Sequence, residues 1–479
     1  MEEKLSDLEP KKVFSFFEEL TKIPRGSGNE KAVSDFLVDF ASRRGLIAYQ
    51  DEKKNVTILK PATDGMEEKP TVILQAHMDM VAVKDDDSAV DPAKEALDVY
   101  VDGDFVKARG TSLGADDGIG VAFILAILDS DDISHPMIEA VFTADEEEGL
   151  GGAYGYDCSR LKGKRLINID TEEENHIVNG CAGGVCCDLS SKCKTTKEEG
   201  TVYDIAISNL TGGHSGTEIH KGGANANVLM GRFLLAASRA AEFFLSTYEG
   251  GTKDNAICTS AKATVVVKKK NGKAFEKCIK AFGEEILALY GKTDPDFVVK
   301  CKDKGKGKLE VMSSKDFSRF VAILNQLPNG VIKMSQSYDM VETSANIGVV
   351  SAKPKSYSIT VSLRSNRDMS LEWMIAKAEM LAKAYDVSFA QRGMYPAWES
   401  SGDDFARSAK QLYERMFSRN IDIVTIHAGL ECALFSKKIK DLEVISIGPD
   451  LSDVHTTSES LSISSTQREW QFIKELIRL

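Results

Sequence analysis

The sequence predicts an α/β fold, in which a principal domain with a central, mostly parallel sheet flanked by helices is interrupted by an inserted α/β domain. Three observations predict it. Four apolar runs of strand length, Asn55 to Leu59, Thr71 to Ala76, Met137 to Phe142 and Arg165 to Ile169, are each bounded by turn or polar residues. A helix-length apolar stretch, Gly118 to Leu128, falls between the second and third of them, as crossover connections in a buried parallel sheet require. The pattern then stops near Cys181 and resumes after Tyr395-Pro396. The expected boundaries are 1–185 for the first part of the principal domain, 186–395 for the insert and 396–479 for the return.

Taken in order, the chain opens with two amphipathic helices. Val13, Phe14, Phe17 and Leu20 recur at helical spacing, as do Val33, Phe36, Leu37 and Phe40 before Gly45. The four strands and the Gly118 helix follow. Within the insert, strands are expected at Val202 to Ile207, Ala263 to Val267, Phe297 to Lys300 and Ser356 to Leu363. Helices are expected at Asn225 to Ala240, Phe275 to Leu289, Lys315 to Gln326 and Glu372 to Ala384. The lysine-rich runs Lys268 to Lys270 and Lys302 to Lys308 read as solvated hairpin tips. An insert of this size has room for two small subdomains. After it, Phe405 to Phe417 and Ala428 to Ser436 read as helices, and Ile421 to Ile426 and Leu442 to Ile447 as strands.

Composition narrows the class. A chain of 479 residues exceeds one ordinary core, and 42% hydrophobic with 28% charged residues describes a soluble globular protein. The net charge of −13 argues against nucleic acid or a membrane surface as partner, because both attract basic proteins. The first residues, MEEKLSDLEPKK, lack an apolar leader segment, and Gly118 to Leu128 is shorter than the roughly 20 residues that span a bilayer. A cytoplasmic location is therefore expected. Nine irregularly placed cysteines suggest reduced thiols, and Cys181, Cys186, Cys187 and Cys193 lack the CxxC pairing of a zinc ribbon.

Ligands of open parallel sheets bind beyond the carboxyl ends of the strands, so polar residues directly after apolar runs carry the chemistry. Thr71 to Ala76 delivers His77-Met78-Asp79, Met137 to Phe142 delivers Asp145-Glu146-Glu147-Glu148, and Arg165 to Ile169 delivers Asp170. Leu442 to Ile447 leads on to His455. Gly114-Ala115-Asp116-Asp117-Gly118 stands just before the apolar helix. Four adjacent carboxylates are usually a solvated turn. Their coincidence with His and Asp at successive strand ends points instead to a divided metal site. Two divalent cations can hold and deprotonate a water that would otherwise attack an amide too slowly, and they need His and carboxylate ligands, a bridging carboxylate and a free one as proton shuttle.

His77-x-Asp79, Gly114 to Gly118, Asp145-Glu146-Glu147, Asp170 and His455 resemble the ligand series of the co-catalytic zinc peptidases, the family of carboxypeptidase G, peptidase T, aminoacylase and carnosinase. Gly212-Gly213-His214-Ser215-Gly216-Thr217-Glu218-Ile219-His220, His427-Ala428-Gly429-Leu430-Glu431-Cys432 and Ser446-Ile447-Gly448-Pro449 are most similar to its members that cleave X-His dipeptides. The resemblance runs nearly end to end. It makes the principal domain catalytic and the insert a lid.

The resemblance implies that His77 and Asp170 bind one metal, Glu147 and His455 bind the other, and Asp116 bridges them. Asp79 then orients the His77 ring, and Glu146 is the general base that activates a metal-bridging water. It implies a cis peptide at Asp116-Asp117 as well. Two divalent cations against three ligand carboxylates leave one net positive charge for an oxyanion. By the same resemblance His214 donates to that oxyanion from the lid, in cis or from a partner chain. Arg364, Asn225 and Gly429 are candidates for gripping the substrate's free carboxylate, Arg364 by bidentate capture. Glu218, His220 and His427 offer the donors of a further metal site, with packing or support roles the preferred reading.

The implied activity is a dipeptidase acting on dipeptides, including carnosine-like X-His substrates. The alternatives are an N-acyl amino-acid deacylase or carboxypeptidase of the same family and, in a different class, a catalytically silent binding protein. Two divalent ions are expected, zinc by ligand type, with manganese and cobalt also compatible. A homodimer through the lid is the remaining expectation.

Overall fold

The computed structural model describes residues 5–336, 339–399 and 404–479. The chain divides into two compact units, one made of Met1–Cys181, Trp398–Thr425 and Leu430–Leu479, the other of Ala182–Ala397 and Ile426–Gly429. Residues 182–185, 396–397 and 426–429 cluster with the second unit, outside the expected span of 186–395.

The first unit is built on an eight-stranded sheet. Its spatial order is Ile47–Gln50, Val56–Lys60, Ile138–Thr143, Val72–His77, Arg165–Asn168, Glu443–Ser446, His176–Cys181 and Asp422–Ile426. The four strands from Ile138–Thr143 to Glu443–Ser446 are parallel. Val56–Lys60 runs antiparallel to Ile138–Thr143, because it returns from Ile47–Gln50 through a tight turn with Lys54 at positive φ. Both faces of the central strands are covered, so Val72–His77 and Ile138–Thr143 are buried at every position.

Helix Ala115–Leu128 is apolar all round and buried from Gly118 onward, packed between helix Lys11–Leu20 and strand Val72–His77. It places its first turn at the carboxyl end of that strand. A small antiparallel sheet of Leu451–Ser452, Ser460–Ser462, Phe105–Ala108 and Val99–Asp102 lies outside the main one. These strands are too short for apolar alternation to mark them in the sequence.

The second unit carries a single nine-stranded sheet rather than two subdomains. The order is Val298–Met312, Thr195–Ser208, Ala261–Val267, Phe243–Gly250, Val341–Lys353, Ser356–Ser365, Gly183–Lys192 and Ser388–Tyr395, with Gly330–Met334 also on Val341–Lys353. Helices Ala226–Ala240, Gly272–Tyr290, Ser314–Gln326 and Asp368–Ala384 supply the apolar side chains of its own core. Lys302 to Lys308 is not a hairpin tip. It lies inside the edge strand Val298–Met312, paired antiparallel with Thr195–Ser208. Among the described residues no helix is long and apolar enough to cross a membrane.

Candidate metal centre

The central parallel strands all point their carboxyl ends at one spot of the first unit. His77 is the last residue of Val72–His77, Glu146 and Glu147 follow Ile138–Thr143, and Asp170 follows Arg165–Asn168. Asp116 comes from the first turn of the apolar helix, where the Asp116-Asp117 peptide is cis. His455 arrives from the far end of the chain at positive φ.

These side chains converge closely. His77 Nε2 lies 3.0 Å from Asp116 Oδ1 and 3.5 Å from Asp170 Oδ1. His455 Nε2 lies 3.0 Å from Asp116 Oδ2 and 2.9 Å from Glu147 Oε2. Each oxygen of Asp116 therefore faces a different imidazole. Three donor groups have ligand atoms within 4.8 Å of one another: His77, Asp116 and Asp170; Asp116, Glu147 and His455; and His77, Glu146 and Glu147.

This donor set fits divalent cations. It combines imidazole nitrogens with several carboxylates, the mix that zinc, manganese and cobalt accept. Glu147 Oε1 is buried without a hydrogen-bond partner, an oxygen suited to a cation. Asp117 does not belong to it, although it neighbours Asp116. Its carboxylate turns inward to accept from the His77 and Gly120 backbone N–H groups at 3.1 and 3.2 Å.

Asp79 ties the pieces together. It is fully buried, and its Oδ1 lies 3.4 Å from His77 Nδ1. It also accepts from the Glu146 N–H at 3.1 Å, the Glu147 N–H at 3.3 Å and Ser27 Oγ at 2.8 Å. One carboxylate thus holds the backbone that presents Glu146 and Glu147 and lies beside the His77 ring.

The crowding sets the electrostatics. Burial pushes the Glu146 carboxyl well above its usual range, opposed by His77 and reinforced by Asp170, Glu147 and Glu431. Burial acts the same way on Asp116, but hydrogen bonds from His455 and His77 overcome it and hold that carboxylate low. Beneath the site lies Glu431, a buried acid in the His427 to Cys432 stretch. Its Oε2 accepts from Thr143 Oγ1 at 2.5 Å and Gln75 Nε2 at 2.6 Å, and burial raises it to about 7.

The other sequence-predicted residues lie in the second unit. Nδ1 of His214 accepts from the Thr217 N–H at 3.1 Å, so the neutral ring carries its proton on Nε2. Arg364 is largely buried and donates to Tyr395 Oη at 2.7 Å, while the Gly429 backbone packs on the Tyr395 ring, where a Cβ would not fit. His427 is held between Ser344 Oγ at 2.7 Å and Asn366 Oδ1 at 2.9 Å. Asn225 serves the fold. Its Oδ1 caps helix Ala226–Ala240, and its Nδ2 is committed to Asn329, Asn346 and the Ile347 carbonyl, which leaves no N–H for a substrate.

Sequence reasoning missed two buried charged residues of the first unit, Arg25 and Glu459. Both hold the Gly114 to Asp116 segment through its backbone. Only the four-residue spacing of Glu459 from His455 hinted at either.

Residues 73–479 match the model of one peptidase family. The chain belongs to peptidase family M20/M25/M40. Among members of M20/M25/M40, the chain is 34% identical over 480 residues to the cytosol non-specific dipeptidase of Escherichia coli (strain K12), covering 99% of this chain and 98% of the relative. Among solved structures it is similar to the aminoacylhistidine dipeptidase of Vibrio alginolyticus, with a TM-score of 0.86, 34% identity and coverage of 99% and 98%. Aminopeptidase PepT of Bacillus cereus matches in fold alone, with a TM-score of 0.55, 16% identity and coverage of 98% of both chains.

Proposed function

We propose that this member of peptidase family M20/M25/M40 is a metal-dependent dipeptidase that hydrolyses dipeptides, X-His dipeptides among them. The observation that carries the reading is Asp116, whose two oxygens each face an imidazole 3.0 Å away with further carboxylates alongside. Full-length similarity to two dipeptidases supports it.

In this reading His77, Asp170 and Asp116 would hold one cation, and Asp116, Glu147 and His455 the other, zinc first by ligand type with manganese and cobalt compatible. Bound there, the cations would supply Lewis acidity toward the carbonyl oxygen and make water acidic enough to attack at neutral pH. Asp79 orients the His77 ring and the Glu146-Glu147 backbone. Glu146 accepts the proton of the attacking water at its carboxylate and delivers it to the leaving amine nitrogen, a role suited to a carboxylate whose burial raises its affinity for that proton. His214, with its proton on Nε2, is the donor for the developing oxyanion, from its own chain or a partner's. Arg364 and the Gly429 backbone are assigned to the substrate's free carboxylate. The expected setting is the cytoplasm. The expected assembly is a homodimer through the second unit.

The decisive experiment strips the protein with chelator, restores zinc, manganese or cobalt in turn, and assays Ala-His, an N-acetyl amino acid and a tripeptide. Metal-restored cleavage of Ala-His ahead of the other two is the expected result. Preference for the N-acetyl amino acid would favour a deacylase and preference for the tripeptide a carboxypeptidase. Failure to retain stoichiometric metal would favour a silent binding protein.

A further inference from the structure

The segment that presents Asp116 is gripped from two sides by residues that touch no ligand atom. Glu459 is buried at 3% exposure. Its Oε2 accepts from the N–H groups of Leu113 at 2.7 Å and Gly114 at 2.9 Å, and its Oε1 from those of Ala115 at 2.7 Å and Asp116 at 3.3 Å. Four consecutive amides thus converge on one carboxylate. Only a carboxylate offers two oxygens that both accept and neither donates.

Arg25 works from the carbonyl side. Its guanidinium is buried at 1% exposure and donates through Nη1 to the carbonyls of Met78 at 3.0 Å and Asp79 at 2.9 Å. Through Nη2 it donates to the carbonyl of Gly114. The planar fork spans three carbonyls on two segments, which a lysine ammonium cannot match in fixed geometry. Gly114 has to be glycine here, since its φ is +66° and a Cβ would collide with Met80 Sδ and the Arg25 guanidinium.

The connections are specific. Arg25 joins the His77-Met78-Asp79 strand end to the Asp116 segment, and Glu459 joins that segment to the stretch that begins at His455. Between them they link the carriers of both imidazoles to the carboxylate that faces both. We propose that Arg25 and Glu459 are positioning residues that fix the Asp116 backbone relative to His77 and His455, and so set how tightly the centre holds its cations. The inference rests on the metal-centre reading above and not on the identity of the substrate.

The test compares wild type with Glu459→Gln, Glu459→Asp and Arg25→Lys as full-length proteins. Glutamine turns an N–H₂ toward amides that need acceptors, whereas aspartate keeps the charge on a shorter stem. Zinc affinity is measured by competition with a chromophoric chelator, and hydrogen exchange is followed at the amides of residues 113–116. With Glu459→Gln, zinc affinity is expected to fall about 10–100-fold, as for partners that orient metal ligands. Exchange of those amides should quicken, and kcat should drop with KM changed by no more than about twofold. Glu459→Asp should recover part of the affinity.

A folded Glu459→Gln protein with wild-type zinc affinity and amide protection overturns the proposal. If that variant does not fold, Arg25→Lys decides by the same measurements. If neither folds, the pair holds the unit as a whole and the positioning role is wrong. A wild type that binds zinc but cleaves no dipeptide would sink the proposed function while leaving the affinity comparison decisive.

Discussion

Two neighbouring acids after Ile138–Thr143 have different surroundings, and the tasks proposed for them follow from that difference. Glu147 has an imidazole at 2.9 Å, whereas Glu146 is buried among like charges that favour its protonated form. Glu146→Ala should therefore keep both cations, by metal analysis, yet lose at least about 10²–10⁴-fold in kcat, the usual contribution of a positioned proton carrier. Near wild-type turnover with metals bound would remove Glu146 from the mechanism. His427 allows a separate test by pH. Burial, helped by Arg364 and His214, depresses it from 6.5 to about 3, so the folded chain keeps it neutral. Below pH 6.5 the unfolded chain takes up a proton that the folded one refuses, and stability falls toward pH 3 by up to about 1.4 kcal/mol per pH unit. His427→Gln removes that contribution. Urea midpoints at pH 7 and pH 5 should then lie closer together than in wild type, and an unchanged gap would contradict the shift.

At the scale of elements, the edge strand Val298–Met312 shows how charge and structure combine. Lys300, Lys302, Lys304, Lys306 and Lys308 alternate along it and are all exposed, on the outermost strand that opens the nine-stranded order. Lysine on an open edge discourages pairing with another chain. Replacing Lys302, Lys304 and Lys306 with threonine should leave the fold intact but raise light scattering on concentration; a variant as monodisperse as wild type would refute the protective role. The same strand explains part of what the sequence concealed. Its lysines read as a turn because apolar alternation was the strand signal, and an edge strand with a solvated face lacks it. Gly183–Lys192, rich in small residues, and Phe243–Gly250, close behind a helix, were missed for related reasons. The central strands were legible because burial on both faces leaves an apolar run that stops where the chemistry begins. His77, Asp116, Glu147, Asp170 and His455 stood out as polar residues beyond such runs or at the head of the apolar helix. Arg25 and Glu459 did not, since their partners are backbone groups of distant segments, and backbone groups leave no trace in residue type.

At the scale of the whole molecule, the open question is assembly. Helix Asp368–Ala384 exposes Met369, Trp373 and Met380 at 80%, 56% and 70%, a row of large apolar side chains facing water. Such patches mark contact surfaces more often than chance exposure. Light scattering coupled to size exclusion should give twice the chain mass, and Trp373→Glu should shift it toward one. A wild-type mass of a single chain at micromolar concentration would exclude the homodimer.

The order of strands in the first unit also bears on how the protein is made. Glu443–Ser446 lies beside Arg165–Asn168, and His455 follows it, so the last of the five proposed ligands leaves the ribosome long after the other four. Until then a nascent chain carries a half-built cluster of acids with one imidazole. Metal loading is therefore expected to wait for release of the finished polypeptide, and a chain cut short near residue 440 should bind zinc weakly and in the wrong number. Cation uptake would report completed synthesis.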